Sequence, residues 1–140
     1  MRQTESVEYL EDLDRDECVR LLEGRGVGRI GTTVRARPVI FPVNYVVHDN
    51  DVLFRTRRGS DLEVATRDAV AAFEIDGMDD FYHEGWSVLV VGRCSHVSDP
   101  AELDQLQTVR LSPWAGERRD RYVRISMEMV SGRRIRHGPT

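Results

Sequence analysis

The chain has 140 residues, of which 40% are hydrophobic and 31% are charged, and its formal net charge at pH 7 is −4. This length suits one soluble domain with one core, and no apolar run approaches the ~20 residues that a membrane-spanning helix needs. The negative charge argues against nucleic acid as the main partner, because such binding depends on net or clustered positive charge. We therefore expect a globular domain that binds neither nucleic acid nor membrane.

All twenty basic residues are arginine, since the sequence contains no lysine. Schiff-base chemistry and general bases that depend on lysine are thereby excluded. An anion site in this chain must use arginine, hydroxyls and backbone N–H groups, and the planar arginine fork suits phosphate and carboxylate. Cys18 and Cys94 belong to no Cys-x-x-Cys pattern and are interpreted as small buried hydrophobic residues. Because the start of the chain lacks the apolar stretch of a secretory signal, we expect a cytoplasmic protein.

The first third of the chain predicts an arm, a helix and a strand. Residues 1–12 are polar without clear periodicity, which predicts a flexible arm before a domain that covers residues 13–136. Asp14 begins a capping box, and the helix that follows it ends at Gly24 to Gly26. The β-branched residues from Val27 to Val34 then predict the first strand.

Five further strands follow, separated by turns and two more helices. Pro42, within the second strand, indicates a sheet edge or a bulge. Ser60 opens a second helix with its own capping box, and Asp99 opens a third that runs to about Leu111. The remaining strands are predicted at 39–47, 52–57, 69–76, 86–93 and 122–129, with a basic tail at 137–140. Six strands with short turns and a few helices predict a mostly β domain that closes into a small antiparallel barrel.

Several familiar patterns lack the context that they require. Residues 26–31 match G-x-G-x-x-G, but a helix precedes them and a strand follows, the reverse of a dinucleotide-binding fold. These glycines are interpreted as ending the helix and allowing close packing. Ser87 is not predicted to be a nucleophile, because Leu89 stands where the elbow motif needs glycine. The four histidines are scattered, so no metal site is expected, and the catalytic residues stay unknown.

The segment from Phe54 to Leu62 has the strongest chemical character. A strand end presents Arg55 and Thr56, Gly59 permits a tight turn, and Ser60 begins a helix whose free N–H groups favour an anion. A phosphate fits this arrangement. Equally, Ser60 and Glu63 are explained by capping alone, with the arginines as a solvated turn, and the acids at positions 61 and 63 oppose an anion locally.

The chain resembles the pyridoxamine 5′-phosphate oxidase-like, FMN-binding split-barrel proteins, in particular their short actinobacterial-type members. The motifs that carry this resemblance are spread over nearly the whole domain: Gly28-Arg29-Ile30, Pro42-Val43-Asn44-Tyr45, Phe54-Arg55-Thr56 with Gly59-Ser60, Gly85-Trp86-Ser87-Val88 with Gly92, Pro113-Trp114 and Gly132-Arg133-Arg134-Ile135. The resemblance implies a six-stranded antiparallel split barrel that forms a homodimer with the flavin at its interface.

The resemblance also implies the cofactor site. The ring would lie against the strand at Phe41, Pro42, Val43 and Asn44, and near Trp86 and Ser87, with Trp114 reaching it from the other subunit. Arg55, Thr56 and Ser60 would hold the phosphate. One position departs from the family pattern, since Asp61 stands where similar sequences carry lysine. Weaker FMN binding, compensation by Arg57 or Arg58, and a different cofactor are each consistent with this change.

Two functions of different classes follow. The first is an oxidoreductase that uses FMN, or alternatively a deazaflavin coenzyme, to reduce or oxidise a small-molecule substrate. True pyridoxamine-phosphate oxidase activity is not expected, because the chain is short and shows no clear second phosphate site. The second is a non-catalytic barrel that binds, stores or senses the cofactor with weakened affinity, which Asp61 favours. The identity of the substrate does not follow from fold analogy.

Overall fold

The fold was taken from a computed structural model that describes residues 6–24, 26–79, 81, 84–109, 111 and 120–139. Its helices are α1 (Arg15–Glu23), α2 (Asp61–Ala65) and α3 (Pro100–Leu106). Its strands are β1 (Ser6–Leu13), β2 (Val27–Val34), β3 (Arg37–His48), β4 (Asp51–Arg57), β5 (Val70–Asp79), β6 (Glu84–His96), β7 (Asp120–Ser126) and β8 (Met129–Pro139). No helix within the described ranges is long and apolar enough to cross a membrane.

Six of the strands close into an antiparallel barrel. Their order is β6–β5–β2–β3–β4–β7, and β7 pairs with β6 again to complete the ring. The barrel can close because β6 is long: its first part, Gly85–Val91, pairs with β8, whereas Cys94–His96 pairs with β7. These six strands are the ones that the sequence predicts, so the prediction of a mostly β, six-stranded antiparallel barrel is confirmed.

Strands β1 and β8 extend the sheet beyond β6, and the sequence pattern does not predict them. All but the last residue of β1 belongs to the arm predicted at residues 1–12, so the prediction of a flexible arm is wrong from Ser6 onward. β8 continues through the predicted tail to Pro139. Opposite charges contribute to this pairing: Glu11 lies opposite Arg134 in register, and its carboxylate is 2.9 Å from Arg136. β1 and β8 are rich in charged residues and lack the apolar alternation that predicts the barrel strands.

The three helices begin where the sequence predicts, but α2 and α3 are shorter than predicted, and α2 ends at Ala65 rather than near Asp68. Asp14 caps α1 by accepting a hydrogen bond from the Glu17 N–H at 2.9 Å, and α1 ends at Gly24. α3 follows Asp99 and ends at Leu106 rather than near Leu111. The Thr108 hydroxyl donates to the carbonyl of Gln105, a local bond that competes with continuation of the helix.

The barrel interior is a single apolar core. Tyr45 and Phe73 meet edge to face with ring centroids 4.8 Å apart, and the Tyr45 hydroxyl donates to the Leu22 carbonyl, which ties α1 to the barrel. Cys18 and Cys94 are buried free thiols, as the sequence predicts. Gly28 lies against the Phe73 ring so closely that a Cβ would overlap it, which supports the interpretation of this glycine as a close-packing position.

Strands β3 and β4 separate at the segment that contains Pro42. They pair only from Tyr45 opposite Phe54 to His48 opposite Asp51, so the preceding part of β3 has β2 as its neighbour and no partner on the β4 side. Proline has no N–H to donate to a second ladder, and it occurs where a strand has an open side. The predicted sheet edge at Pro42 is therefore found inside the barrel wall, as a split between two strands.

A β-bulge lies where β7 passes into β8. Val91 is opposite Met129, whereas Cys94 is opposite Ile125, so the β7–β8 segment contains one more residue than β6 over this stretch. The extra residue brings the Ser126 carbonyl over Gly92, in the space that a Cβ would occupy. Gly92 therefore allows β6 to change its partner from β8 to β7.

We expect Gly92→Ala to lower the free energy of unfolding by about 3 kcal/mol, because the new Cβ would overlap backbone that cannot rotate away. Urea unfolding at equilibrium measures this. Gly26→Ala is the matched control: a Cβ at Gly26 would meet no atom within 4 Å, so the change should stay within about 0.5 kcal/mol. Equal effects of the two substitutions would contradict the role assigned to Gly92.

Candidate functional site

The split between β3 and β4 opens into a pocket of about 350 Å³. Its lining comes from β3, from the end of β4 and from the start of α2. Seven of the predicted site residues line it together: Phe41, Pro42, Val43, Arg55, Thr56, Ser60 and Asp61. Arg57 and Leu62 complete the lining. The split thus brings two segments that are distant in sequence to one concave site, as a small-molecule pocket requires.

Two hydroxyl groups form the polar centre of this pocket. The Thr56 Oγ1 and Ser60 Oγ atoms lie 3.0 Å apart, and the Ser60 Oγ also accepts the Glu63 N–H at 3.1 Å. Gly59, with φ at +84°, makes the turn that returns Ser60 toward Thr56. Ser60 therefore caps α2 as the sequence predicts, although Glu63 accepts the Gly59 N–H and not the Ser60 N–H that a full capping box requires. The same serine also faces the pocket. Because α2 has only five residues, the groups of this pocket that could attract an anion are its hydroxyls and arginines rather than a helix dipole.

The buried carboxylate of Glu63 stabilises the turn at Gly59 by accepting a backbone hydrogen bond. Glu63 is 1% exposed, and its Oε1 accepts the Gly59 N–H at 3.2 Å while its Oε2 accepts from Arg67 Nε at 2.7 Å. The hydrogen bonds from Arg67, more than that from Gly59, lower the pKa of Glu63 to about 2 despite its burial. His96 lies beside it, with Nδ1 3.9 Å from Glu63 Oε2, and burial lowers the pKa of this histidine. The charge of Glu63 is thus satisfied within the protein.

We expect Glu63→Gln to destabilise the protein at pH 7 and to do so less as the pH falls. The pKa of Glu63 is about 2 in the folded protein against 4.5 for an unperturbed side chain. Its stabilisation is therefore complete above about pH 4.5, amounts to at most about 3 kcal/mol, and is lost as the pH falls toward 2. Urea unfolding of wild type and variant between pH 7 and pH 3 measures the difference.

Glu23→Gln, at the exposed end of α1, is the control for that experiment and should change the free energy of unfolding at pH 7 by less than about 0.5 kcal/mol. A constant difference between wild type and Glu63→Gln at every pH would contradict the assigned pKa of Glu63.

Arg55 lines the pocket, but its guanidinium is also engaged elsewhere. Nη1 donates to the Leu111 carbonyl at 2.6 Å, and the guanidinium carbon lies 5.1 Å from the centre of the Tyr122 ring. These contacts direct Arg55 toward the outer cluster of Leu53, Val97, Leu106 and Leu111. Arg55 thus joins the pocket to the segment that follows α3. Trp114, which lies in that segment, is outside the described residues.

Asp61 is paired with an arginine from a different part of the chain. Its two carboxylate oxygens lie 3.3 Å and 3.4 Å from Nη1 and Nη2 of Arg35, which belongs to the turn between β2 and β3. Nothing in the sequence pattern singles out Arg35, because 26 residues separate it from Asp61. The pair offsets the negative charge that Asp61 would otherwise bring to the pocket.

Trp86 and Ser87 line a different pocket, of about 380 Å³, between β1, β5, β6 and β8. Asp76 and Arg133 supply its charged groups, and the sequence pattern predicts neither. Only this register, which sets Asp76 opposite Ser87 and Ser87 opposite Arg133, brings these side chains together. Trp86 and Ser87 are thus not in the pocket that Thr56 and Ser60 line, and their predicted contact with the ring stays a prediction.

Arg29 stands between the two pockets. It lies opposite Pro42 in β3 and opposite Glu74 in β5, and its guanidinium is 2.7 Å from Asp76 and 2.9 Å from Glu74. Burial, together with the nearby Asp76, raises the pKa of Glu74. Asn44, also predicted to contact the ring, lies on β3 opposite Val27 of β2. It is not among the lining residues of either pocket.

Other sequence patterns acquire no chemical role in the structure. The glycine motif at 26–31 enters β2 rather than a helix, which excludes the dinucleotide-binding reading of those residues. Within the described ranges, no three histidine, cysteine, aspartate or glutamate side chains are grouped closely enough to hold a metal ion.

Comparison with known proteins agrees with the fold and the motifs. The sequence matches the family described as pyridoxamine 5′-phosphate oxidase over residues 14–134, and the chain belongs to this family of flavin-binding split barrels. An uncharacterized protein of Mycobacterium tuberculosis is 40% identical over 136 residues, which cover 94% of this chain and 89% of that protein.

Solved structures show the same fold. The FAD binding protein from Mycobacterium smegmatis is 39% identical, with a TM-score of 0.78 over 90% of this chain and 100% of that chain. A protein of unknown function from Corynebacterium diphtheriae is 31% identical, with a TM-score of 0.72 over 89% of this chain and 96% of that chain.

Proposed function

We propose that this protein binds a phosphorylated flavin in the pocket between β3, β4 and α2 and acts as a flavin-dependent oxidoreductase on a small molecule. The observation that carries the proposal is the pair of hydroxyls of Thr56 and Ser60, 3.0 Å apart, in a pocket that Arg55 and Arg57 also line. Hydroxyl donors beside arginine suit a phosphate oxygen. The residues present therefore fit the phosphate end of such a cofactor.

The apolar part of the pocket suits the rest of the cofactor. Phe41, Pro42 and Val43 form its β3 wall, and the absence of a β4 partner beside this part of β3 leaves room for a ligand. When bound, the flavin supplies the redox chemistry, and this chain binds and orients it. FMN, FAD and a deazaflavin coenzyme all carry the phosphate that the hydroxyls would hold. The FAD binding protein from M. smegmatis, 39% identical, supports the dinucleotide among these.

A homodimer is part of this proposal. Ile40, Gly31, Ala72, Val91 and Met129 lie in one row across five strands, each opposite the next, so their side chains share the outer face of the sheet. Ile40 and Met129, at the two ends, are 71% and 66% exposed. A row of apolar and small residues on the outer face is the kind of surface that a second copy of the chain would cover.

Binding of the phosphate by Thr56 is tested with the conservative Thr56→Val, which removes the hydroxyl and keeps the shape. We expect wild type to bind FMN or FAD with the flavin absorbance bands, and the variant to bind it roughly tenfold more weakly. Affinity for riboflavin, which has no phosphate, should stay within about twofold. Thr33→Val, on the exposed surface of β2, is the matched control. Equal losses for riboflavin and FMN would contradict the placement of the phosphate.

Oxidoreductase activity itself is tested on the flavin-loaded protein. A reductant should bleach its visible spectrum, and an electron acceptor should restore it at a rate that exceeds that of free reduced flavin. Bound flavin that shows no such acceleration would support the second candidate function, a barrel that binds or stores the cofactor without catalysis. The observation that favours this second function is Asp61, an acid on the lining of the phosphate pocket.

The effect of that acid is measured by Asp61→Lys. We expect FMN to bind roughly tenfold more tightly to this variant, because the change replaces a negative charge beside the phosphate with a positive one. Asp61→Asn should give a smaller gain. An unchanged affinity for FMN in both variants would mean that the phosphate does not lie at this turn, whereas tighter binding would show that Asp61 restrains the affinity of the natural chain.

A further inference from the structure

A second pocket, of about 390 Å³, opens beside the proposed phosphate pocket under the turn between β2 and β3. Its lining consists of Val34, Arg35, Arg37, Val39, Phe41 and Asp61. Phe41 and Asp61 belong to both pockets, so the two are neighbours along one surface. Asp61 directly follows Ser60 and is hydrogen-bonded to Arg35, so it connects the hydroxyl side of the first pocket with the arginine side of the second.

The turn between β2 and β3, which contains Arg35, does not have the residue types that its backbone angles favour. Arg35 and Ala36 have φ of 49° and 63°, the left-handed conformation that two-residue hairpin turns require and that favours asparagine, aspartate or glycine. The turn between β3 and β4 has the same two angles and uses Asp49 and Asn50. Turn propensity thus explains the second turn but not the arginine and alanine of the first, and of these two only Arg35 has a side chain that reaches a partner, Asp61.

The two arginines have different surroundings. Both oxygens of Asp61 accept hydrogen bonds from the guanidinium of Arg35 at the boundary of the two pockets, in an ion pair that is largely exposed to solvent. Arg37 makes no ion pair with any residue in the described part of the chain, and its side chain is exposed. Arg35 is therefore positioned by the protein, whereas Arg37 is available to a ligand.

Charge collects around the two pockets against the trend of the whole molecule. Four arginines and one aspartate line them, a net charge of +3, in a chain whose formal charge is −4. A single phosphate held by Thr56, Ser60 and the arginines beside them leaves Arg37 without an anionic partner, whereas Arg35 already has Asp61. A second anionic group that is covalently joined to the first would meet Arg37 in the adjoining pocket.

We propose that Arg37, with Arg35 held by Asp61, binds a second anionic group of the cofactor, beyond the phosphate that Thr56 and Ser60 hold. This inference rests on the proposed function and narrows its cofactor. The group is the second phosphate of a flavin dinucleotide, which shares a bridging oxygen with the first and so needs neighbouring sites. A carboxylate of a deazaflavin tail has the same anionic chemistry, and the experiment separates the two sources.

The experiment compares the dissociation constants of FMN, FAD and a deazaflavin coenzyme for the full chain and for Arg37→Ala. We expect the natural chain to bind one of the two extended cofactors at least tenfold more tightly than FMN. Arg37→Ala should weaken that cofactor roughly tenfold and leave FMN within about twofold, while Arg37→Lys retains part of the affinity. Preference for FAD identifies the diphosphate, and preference for the deazaflavin identifies the carboxylate tail.

Arg58→Ala is the matched control, because Arg58 is exposed beside Gly59 and is not among the lining residues of these two pockets. It should change no dissociation constant by more than about twofold. Equal affinities of the natural chain for FMN and both extended cofactors, or equal losses for all three in Arg37→Ala, would overturn the second anion site and leave the proposed flavin function intact. Failure of all three cofactors to bind would overturn both.

Discussion

The separation of β3 from β4 is the constraint on which the candidate site depends. The two strands pair for only four residues each, from Tyr45 to His48 and from Asp51 to Phe54, and Pro42 cannot donate the hydrogen bond that would continue the ladder. Without that split, the apolar wall of β3 and the hydroxyl of Thr56 would be covered by the partner strand. The barrel closes nevertheless, because β6 changes its partner from β8 to β7 at the bulge over Gly92.

Electrostatics at the split follows a consistent pattern. Each of the two carboxylates in the first turn of α2 forms an ion pair with an arginine. Glu63 pairs with Arg67, four residues later in the chain, and Asp61 pairs with Arg35 of the β2–β3 turn. An acid next to an anion pocket lowers the affinity of that pocket for anions. An acid that positions a guanidinium there can also enlarge the anion site by one more positive group. The contact with Arg35 gives an aspartate at position 61 a structural role. The family pattern, which has lysine at this position, does not suggest that role.

The features that could be predicted are those with local causes. Alternating β-branched residues predict the six barrel strands, and Asp14 and Ser60 predict the starts of α1 and α2, because capping depends on residues within one turn. The strands β1 and β8 could not be predicted in this way, because β1 is acidic and β8 is rich in arginine, so neither shows the apolar alternation of the barrel strands. Likewise, the contact of Arg55 with Leu111 and Tyr122 depends on where α3 ends.

By itself, the sequence determined a lysine-free barrel domain with hydroxyls and arginines around one glycine turn, since composition, periodicity and caps are properties of neighbouring residues. Only the tertiary structure decided which of the predicted site residues share a pocket. It joins Phe41 to Thr56 and Ser60, assigns Trp86 and Ser87 to a different pocket, and brings Arg35 to Asp61. The physical reason is that strand register and the β3–β4 split bring together side chains that the chain itself keeps far apart.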